Sequence, residues 1–296
     1  AVVTVRASAA LLPSGRPGSS GGSRRDRIGT IPLARWDLEH DSVGASSLPR
    51  FGGFVRLHKW LDSQVFNVSA AEAEHIDYRQ CHLLHLAREV LSLSSGHGHD
   101  QGHAEGCGVY VGIQAMPADN PFRCRLGLTG YHGTGTSMSV ACGRLSYVFG
   151  LRGPSLCVDT ACSSSLIALH LAAMAARGNA AGPGMQCDQA LACGAHCYQS
   201  DKGFQVMMHA GMLAPDGRCK TLDASANGYT RAEAVQCLLL SSSSSSSSAG
   251  GVVAVVGGAV NQDGRSASLT APSGPAQQEM LLRALEDAML GALDVE

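Results

Sequence analysis

Aromatic residues, charged residues and long apolar runs are all scarce in this 296-residue sequence. Phe, Trp and Tyr make up 5% of the residues, charged residues 16%, and the formal net charge is −2. A nearly neutral chain lacks the basic surface that binds nucleic acid, so nucleic acid is not expected as a partner. No apolar run approaches the ~18 residues that a membrane-spanning helix needs. The 45% apolar content instead predicts a globular chain with a substantial core.

Cysteine is present, but it is too dilute for a disulfide-stabilised scaffold, with 11 residues in the whole chain. We therefore expect a reducing, cytosol-like compartment. Two groups of metal-ligating residue types occur, Cys193 to Cys197 with His196, and His97, His99, His103 and Cys107. Neither has the paired spacing of a zinc site, so no bound metal is predicted.

The stretch from Ser155 to Met174 carries the chemistry of the sequence. Its first part, Leu156 to Val158, is a short apolar run that follows Gly153-Pro154, which is typical of a buried strand. From Ser163 to Ala176 nearly every position is apolar or small, which predicts a helix buried on all sides. Arg177 and Gly178 supply a basic last turn and a residue suited to a left-handed helix cap.

Cys162 falls at the turn between this strand and this helix. The unpaired N–H groups and the dipole at a helix N-terminus favour negative charge, so a thiol there ionises and attacks more readily. The same N–H groups can hold the oxyanion that forms when a thioester carbonyl is attacked. Spacing alone leaves one alternative open, a buried structural cysteine.

The residues around Cys162 resemble a known signature. Val158-Asp-Thr-Ala-Cys-Ser-Ser-Ser-Leu166 is similar to the active-site motif of β-ketoacyl synthases, specifically the ketosynthase domains of type I polyketide synthases. The resemblance covers most of the chain from about Pro32 onward, and further segments match in family order: Gly143 to Ser155, Ala210 to Ser225, and Val260 to Ser266.

This resemblance implies an α/β thiolase-like layered fold (α-β-α-β-α), of which the chain supplies the N-terminal half and the start of the C-terminal half. We divide the chain into a poorly matched segment (1–27), an N-terminal ketosynthase half with the nucleophile Cys162 (28–240), a Ser-rich loop (241–250) and the start of a C-terminal half (251–296). The basic, Ser-rich composition before Asp26 leaves a plastid transit peptide as an alternative to a cytoplasmic location.

The resemblance also implies a reaction. In the family, the cysteine takes an acyl chain from the phosphopantetheine arm of an acyl carrier protein, and a decarboxylative Claisen condensation with a malonyl-type extender then occurs. The implied partners are this carrier protein, acyl and malonyl thioesters, and a second copy of the chain that pairs through the strand before the cysteine. No other cofactor is implied. The alternatives are a condensing enzyme of fatty acid biosynthesis, a non-elongating acyl-transfer or partner subunit, and a thiol hydrolase or protease.

The histidines of the chain do not match the catalytic histidines of the family. Those belong to a His-Gly-Thr-Gly-Thr motif and a later Gly-His motif, both expected after Glu296, so we expect a fragment that does not condense by itself. Tyr131 to Thr136 contains the letters of the first motif, but before the cysteine, and His132 is interpreted as a loop histidine. His170 lies two helical turns, about 12 Å, from Cys162. It is interpreted as a buried helix histidine, and His196 and His209 likewise.

Several local patterns complete the expectations. Ser69 and Glu72 have the spacing of a capping box, Pro275 is placed to open a helix that ends at Gly291, and Ala232 and Ala234 replace glycines of the family and could strain the turn. Met207 and Met208 are interpreted as core residues. The predicted elements are a helix over Tyr78–Leu91 and strands at Val2–Val5, Gly108–Gly112, Gln189–Cys197, Val235–Leu240 and Val252–Val256, with a loop over Ser241–Ser248.

Overall fold

The computed structural model describes residues 2–13, 26–36, 50–57, 61–94, 106–115, 129–178, 184–242 and 253–295. The strands are β1 (Val3–Leu11), β2 (Gly29–Thr30), β3 (Phe51–Gly52), β4 (Gly108–Ile113), β5 (Ser155–Val158), β6 (Gln189–His196), β7 (Ala234–Ser242) and β8 (Ala254–Val255). The α-helices are α1 (Ala70–Ala73), α2 (Tyr78–Ser94), α3 (Gly130–Thr136), α4 (Met138–Phe149), α5 (Ser164–Arg177), α6 (Lys202–His209) and α7 (Gly274–Ala288). Short 3-10 turns span Ala161–Ser163 and Ala292–Asp294.

A six-stranded mixed sheet, in the order β5-β4-β6-β7-β1-β8, forms the centre of the described part of the chain. β4 runs parallel to β5 and β6, whereas β7 is antiparallel to both β6 and β1. Every residue of β4 is buried, which agrees with its continuous apolar sequence. β5 and β8 are the edge strands. The edge position explains why β5 is only half-buried rather than buried as expected.

The sheet separates two apolar layers. Alternate residues of β6 point to opposite faces: Leu191, Cys193 and Ala195 pack with α2 and α4, whereas Ala190 and Ala192 pack with α5. The face of α5 against the sheet is made of small residues, mainly alanines, so the helix lies close to the strands. The result is a helix–sheet–helix arrangement.

The predicted elements are largely confirmed, with differences in extent. α2 extends to Ser94, and β7 continues through Ser241 and Ser242, so the predicted serine loop begins two residues too early; positions 243–250 lie outside the described residues. The predicted strand Val2–Val5 corresponds to β1, which begins at Val3, extends to Leu11 and pairs with β7 along its length. Among the described helices, none is long and apolar enough to cross a membrane.

Three further predictions of burial or boundary were wrong. α5 is not buried on all sides, since Leu166 is 65% exposed on the face turned away from the sheet. The strand expected at Val252–Val256 is reduced to β8, because it pairs only with the first residues of β1, and its flanking Val253 and Val256 are exposed. α7 ends at Ala288 rather than at Gly291, because Met289 takes the left-handed cap conformation at φ 56°.

The predicted capping box at α1 forms only in part. The Glu72 N–H donates to the Ser69 hydroxyl at 3.1 Å, as expected of an N-cap. The Glu72 carboxylate does not return to Ser69 but forms an ion pair with Arg144 of α4 at 2.6 Å. The long-range ion pair therefore replaces the second half of the local motif.

Glu233 is a fully buried carboxylate that joins three parts of the chain. It accepts hydrogen bonds from the Val55 N–H at 2.8 Å, the Tyr198 N–H at 2.7 Å and the Arg35 guanidinium at 2.6 Å. Burial raises the pKa of the Glu233 carboxyl, and Arg35 acts in the opposite direction. The bonds anchor the segment before α1 to the residues that come directly after β6.

We expect Glu233→Ala to lower the free energy of unfolding by about 3–5 kcal/mol, because it leaves Arg35 and two backbone donors buried without their acceptor. Glu279→Ala is the matched control, since Glu279 forms an exposed pair with Arg283, both side chains being 57% exposed. Such exposed pairs contribute about 0.5 kcal/mol or less. Urea denaturation measures both changes, and equal losses in the two variants would contradict the assignment.

Candidate active site

The carboxyl ends of β5, β4 and β6 meet at one edge of the sheet. Val158 pairs with Gly112, and Gly112 pairs with Gly194 in the parallel register of the three strands. α5 connects the end of β5 to the start of β6, so it runs antiparallel to both strands and its first turn lies at this edge. Cys162 is therefore located at the carboxyl edge, just before the helix.

The turn that carries Cys162 is held by its own hydrogen bonds. Asp159 Oδ1 accepts from the Ala161 N–H at 3.1 Å. The Ser164 hydroxyl accepts from the Thr160 N–H at 2.8 Å and donates to the Ala161 carbonyl at 2.7 Å. Ala161 has a positive φ of 55°, which costs a non-glycine residue about 1–2 kcal/mol. The sharp strand-to-helix turn is thus strained at the residue before the cysteine.

Cys162 is exposed in the 3-10 turn Ala161–Ser163 that leads into α5. Ser163 is the N-cap residue, but its hydroxyl donates to the Thr160 carbonyl and hydroxyl, both at 2.9 Å, and does not cap the helix. No side chain therefore occupies the helix N-terminus next to the thiol, although the Ser163 N–H donates to the Thr160 carbonyl at 3.3 Å and the Ser164 N–H donates to the Ala161 carbonyl. The predicted position at a helix N-terminus is confirmed, whereas the alternative of a buried structural cysteine is wrong.

Two glycines let the first turn of α5 approach the sheet. A Cβ on Gly112 would lie 2.5 Å from the carbonyl carbon and oxygen of Ser164. A Cβ on Gly194 would lie 2.7 Å from the Ser165 Cβ. We call this paired gap in β4 and β6 the glycine notch. The notch was not predicted from the sequence, although glycine inside a strand is a recognised signal of close backbone approach.

We expect Gly112→Ala to destabilise the chain by about 1–3 kcal/mol, because the added methyl group meets backbone atoms that cannot rotate away. Gly143→Ala is the matched control. Gly143 lies inside α4 with nothing within 4 Å of its would-be Cβ, and the substitution should stabilise the helix by about 1 kcal/mol. Chemical denaturation of both variants checks the opposite signs, and a neutral Gly112→Ala would contradict the notch.

The histidine of the Tyr131 to Thr136 segment is buried in a helix. His132 lies in α3 and is only 4% exposed, so its interpretation as a loop histidine was wrong. Its ring packs against His75 at a centroid distance of 5.5 Å, beside the start of α2, and neither ring nitrogen has a hydrogen-bond partner among the described residues. Inside this helix the Thr136 hydroxyl donates to the His132 carbonyl at 2.7 Å.

The other histidines differ from their interpretation as buried helix residues. His170 does lie on α5, but it is only half-buried, and burial is the main cause of its lowered pKa. His209 is exposed at the end of α6. His196 belongs to a strand, β6, and burial, together with the smaller effects of the Arg231 and Arg79 charges, lowers its pKa to about 4.

No group of three or more His, Cys, Asp or Glu side chains that could hold a metal ion occurs in the described ranges. Cys193 and Cys197 pack on the α2 side of the sheet, and His196, one residue out of phase, points to the opposite face. The side chains of Cys193, His196 and Cys197 therefore cannot converge on one ion. His97, His99 and His103 lie outside the described residues.

The two substituted glycine positions show no backbone strain. Neither Ala232 nor Ala234 has a positive φ, and Ala234 pairs with His196 in the ordinary register of β6 and β7. Met207 and Met208 pack against a cluster of aromatic residues at this end of the sheet, which confirms their interpretation as core residues. The cluster contains Trp36, Phe54, Tyr198 and Phe204.

Comparison with protein families gives two matches. Residues 22–246 match the profile of the β-ketoacyl synthase N-terminal domain, and residues 252–296 match that of the C-terminal domain. Among curated proteins, a phenolphthiocerol/phthiocerol polyketide synthase protein of Mycobacterium tuberculosis is 37% identical over 286 residues, which cover 92% of this chain and 13% of that protein. The erythronolide synthase EryA3 of Saccharopolyspora erythraea is 39% identical over 283 residues, covering 94% of this chain and 8% of that protein.

Solved structures give the same result for the fold. The oxazolomycin ketosynthase domain from Streptomyces albus superposes with a TM-score of 0.82 at 27% identity, covering 98% of this chain and 51% of that one. The ketosynthase from module 6 of the bacillaene synthase of Bacillus subtilis gives a TM-score of 0.78 at 27% identity, covering 98% and 49%. The chain thus spans about half of these structures and a small part of the curated synthases, and its fold is of the thiolase-like type.

Proposed function

Because the chain belongs to the β-ketoacyl synthase family, we propose that Cys162 is the nucleophile that accepts an acyl group from a thioester. The Cys162 thiolate attacks the thioester carbonyl, the donor sulfur leaves and takes up a proton, and the acyl group remains on the cysteine. The observation that carries this proposal is an exposed thiol at a strained strand-to-helix turn, next to helix N–H groups that no side chain caps. The helix N-terminus can stabilise the oxyanion of the tetrahedral intermediate.

For the whole protein we propose decarboxylative Claisen condensation in polyketide biosynthesis. The acyl donor is the phosphopantetheine arm of an acyl carrier protein, and the extender is a malonyl-type thioester. Support comes from the relatives, whose names describe polyketide synthases for phthiocerol, erythronolide and pikromycin compounds. These relatives favour polyketide synthesis over the fatty-acid alternative. A non-elongating acyl-transfer subunit would share the Cys162 step and lack the condensation.

We also propose that the whole protein is a homodimer in which β5 pairs with its counterpart. This proposal is supported by the position of β5 at the edge of the sheet, where its outer side has no strand partner among the described residues. An unpaired, half-buried edge strand is a ready site for strand addition. The reactive thiol also fits a reducing, cytosol-like compartment, because it must remain unoxidised to accept an acyl group.

We expect Cys162→Ala to abolish acylation of the chain by a butyryl thioester of N-acetylcysteamine, a small mimic of the pantetheine arm. The wild type should gain one butyryl group in intact-protein mass spectrometry, located on the Cys162 peptide.

Cys219→Ala is the matched control, because Cys219 is the other exposed cysteine of the described ranges. It should acylate like the wild type. A butyryl adduct that survives in Cys162→Ala and disappears in Cys219→Ala would overturn the assignment of the nucleophile.

A further inference from the structure

The face of β6 that contacts α5 carries an unexplained histidine at its end. Ala190 and Ala192 of β6 pack with the alanines of α5, and Gly194 meets Ser165 of the same helix. Successive even positions of a strand share one face, so His196 points to the α5 side as well. The pairing of His196 with Ala234 shows that the strand keeps its regular register to this residue.

His196 and Cys162 lie in the same direction from the glycine notch. His196 comes two strand residues after Gly194, about 7 Å toward the carboxyl edge. Cys162 precedes Ser165 by three residues, about one turn of helix. Because α5 runs antiparallel to β6, this turn also extends toward the carboxyl edge. The imidazole and the thiol therefore occupy the same layer of the molecule beyond the notch.

The His196 ring is held in place, yet one of its nitrogens is unused. Its ring packs edge-on against Tyr198 at a centroid distance of 4.5 Å. The Tyr198 hydroxyl in turn accepts a hydrogen bond from Arg231 at 2.6 Å, and the guanidinium lies 4.8 Å from the centroid of the Tyr198 ring. His196 Nε2 is buried and has no hydrogen-bond partner among the described residues.

Two further buried polar atoms close in sequence to these residues are also unpaired among the described residues, Gln199 Oε1 and Thr230 Oγ1. Gln199 comes directly after Tyr198, and Thr230 precedes Arg231. Each buried polar atom without a partner costs about 1–3 kcal/mol, so such atoms are rare unless a ligand or water completes them. His196 Nε2, on the α5 face of β6 at the carboxyl edge that also carries Cys162, therefore indicates a site for a polar part of a substrate.

The chemistry of His196 fits hydrogen bonding rather than proton transfer. Burial and the cationic groups of Arg231 and Arg79 lower its pKa to about 4, so the ring is neutral near pH 7. A neutral imidazole nitrogen can accept from a hydroxyl group or donate to a carbonyl oxygen, depending on its tautomer.

We propose that His196 is a specificity-determining residue, whose Nε2 hydrogen-bonds an oxygen substituent, hydroxyl or keto, on the acyl chain that Cys162 accepts. This inference rests on the acyl-transfer function proposed above. A purely hydrocarbon chain leaves Nε2 unpaired and is disfavoured, because a site with a buried polar group discriminates against ligands that cannot pair with it.

The test compares acylation of the 296-residue chain by the 3-hydroxybutyryl and butyryl thioesters of N-acetylcysteamine. We expect the wild type to react faster with the hydroxylated chain. His196→Phe should slow the 3-hydroxybutyryl reaction by about 10-fold, the value of one hydrogen bond, and leave the butyryl reaction within about 2-fold. His196→Asn keeps a donor and an acceptor and should restore part of the preference. His209→Phe, at an exposed histidine, should leave both rates unchanged.

A second measurement separates this inference from the acyl-transfer proposal. In the Cys162→Ala chain with ¹⁵N-labelled histidine, 3-hydroxybutyryl thioester should shift the His196 Nε2 resonance, and butyryl thioester should not. If this shift occurs but the wild type is not acylated, the result would support the binding site and refute the assignment of Cys162 as the nucleophile. An unmoved Nε2 resonance, or equal slowing of both reactions in His196→Phe and His196→Asn, would overturn the inference. If His196→Phe does not fold, the acylation rates of His196→Asn and the Nε2 resonance of the Cys162→Ala chain test the inference.

Discussion

The close approach of the first turn of α5 to β4 and β6 is the contact on which the candidate site depends. It is made through the glycine notch, where any Cβ on Gly112 would overlap the Ser164 backbone. Because the helix start is fixed against the sheet, the preceding residues turn sharply. Ala161 has a positive φ in this turn. The exposure of Cys162 and the absence of a side-chain cap on the helix beside it accompany the same geometry.

A second constraint acts on the end of β6. Glu233 accepts the Tyr198 N–H, and Tyr198 packs against the His196 ring and the Phe204 ring. The buried carboxylate therefore fixes the backbone just after β6, the strand that ends in His196. Its desolvation is offset by three donors, one of them the Arg35 cation. The turn that carries Cys162 and the end of β6 are thus supported by two separate sets of contacts, one steric and one polar.

The elements that could be predicted from the sequence are those whose signal is local. The strand-turn-helix around Cys162 is encoded in adjacent residues, and so is the start of α7 at Pro275. The roles of Gly112 and Gly194 could not be derived, because they depend on which strands pair and in which register. The same holds for His196: its face is decided by β6 packing against α5, a contact between residues far apart in sequence. Exposure of Leu166 was missed because apolarity on all faces indicates burial only if each face has a neighbour.

The most direct test of the central claim compares the two exposed cysteines in one sample. Iodoacetamide labelling of the native chain, with subsequent mass spectrometry of the Cys162 and Cys219 peptides, gives the ratio of their alkylation rates. If the helix start activates Cys162, that ratio should exceed about 10 in the folded protein and fall to about 1 in urea, where the turn and the helix are lost. A ratio near 1 in both conditions would contradict the account.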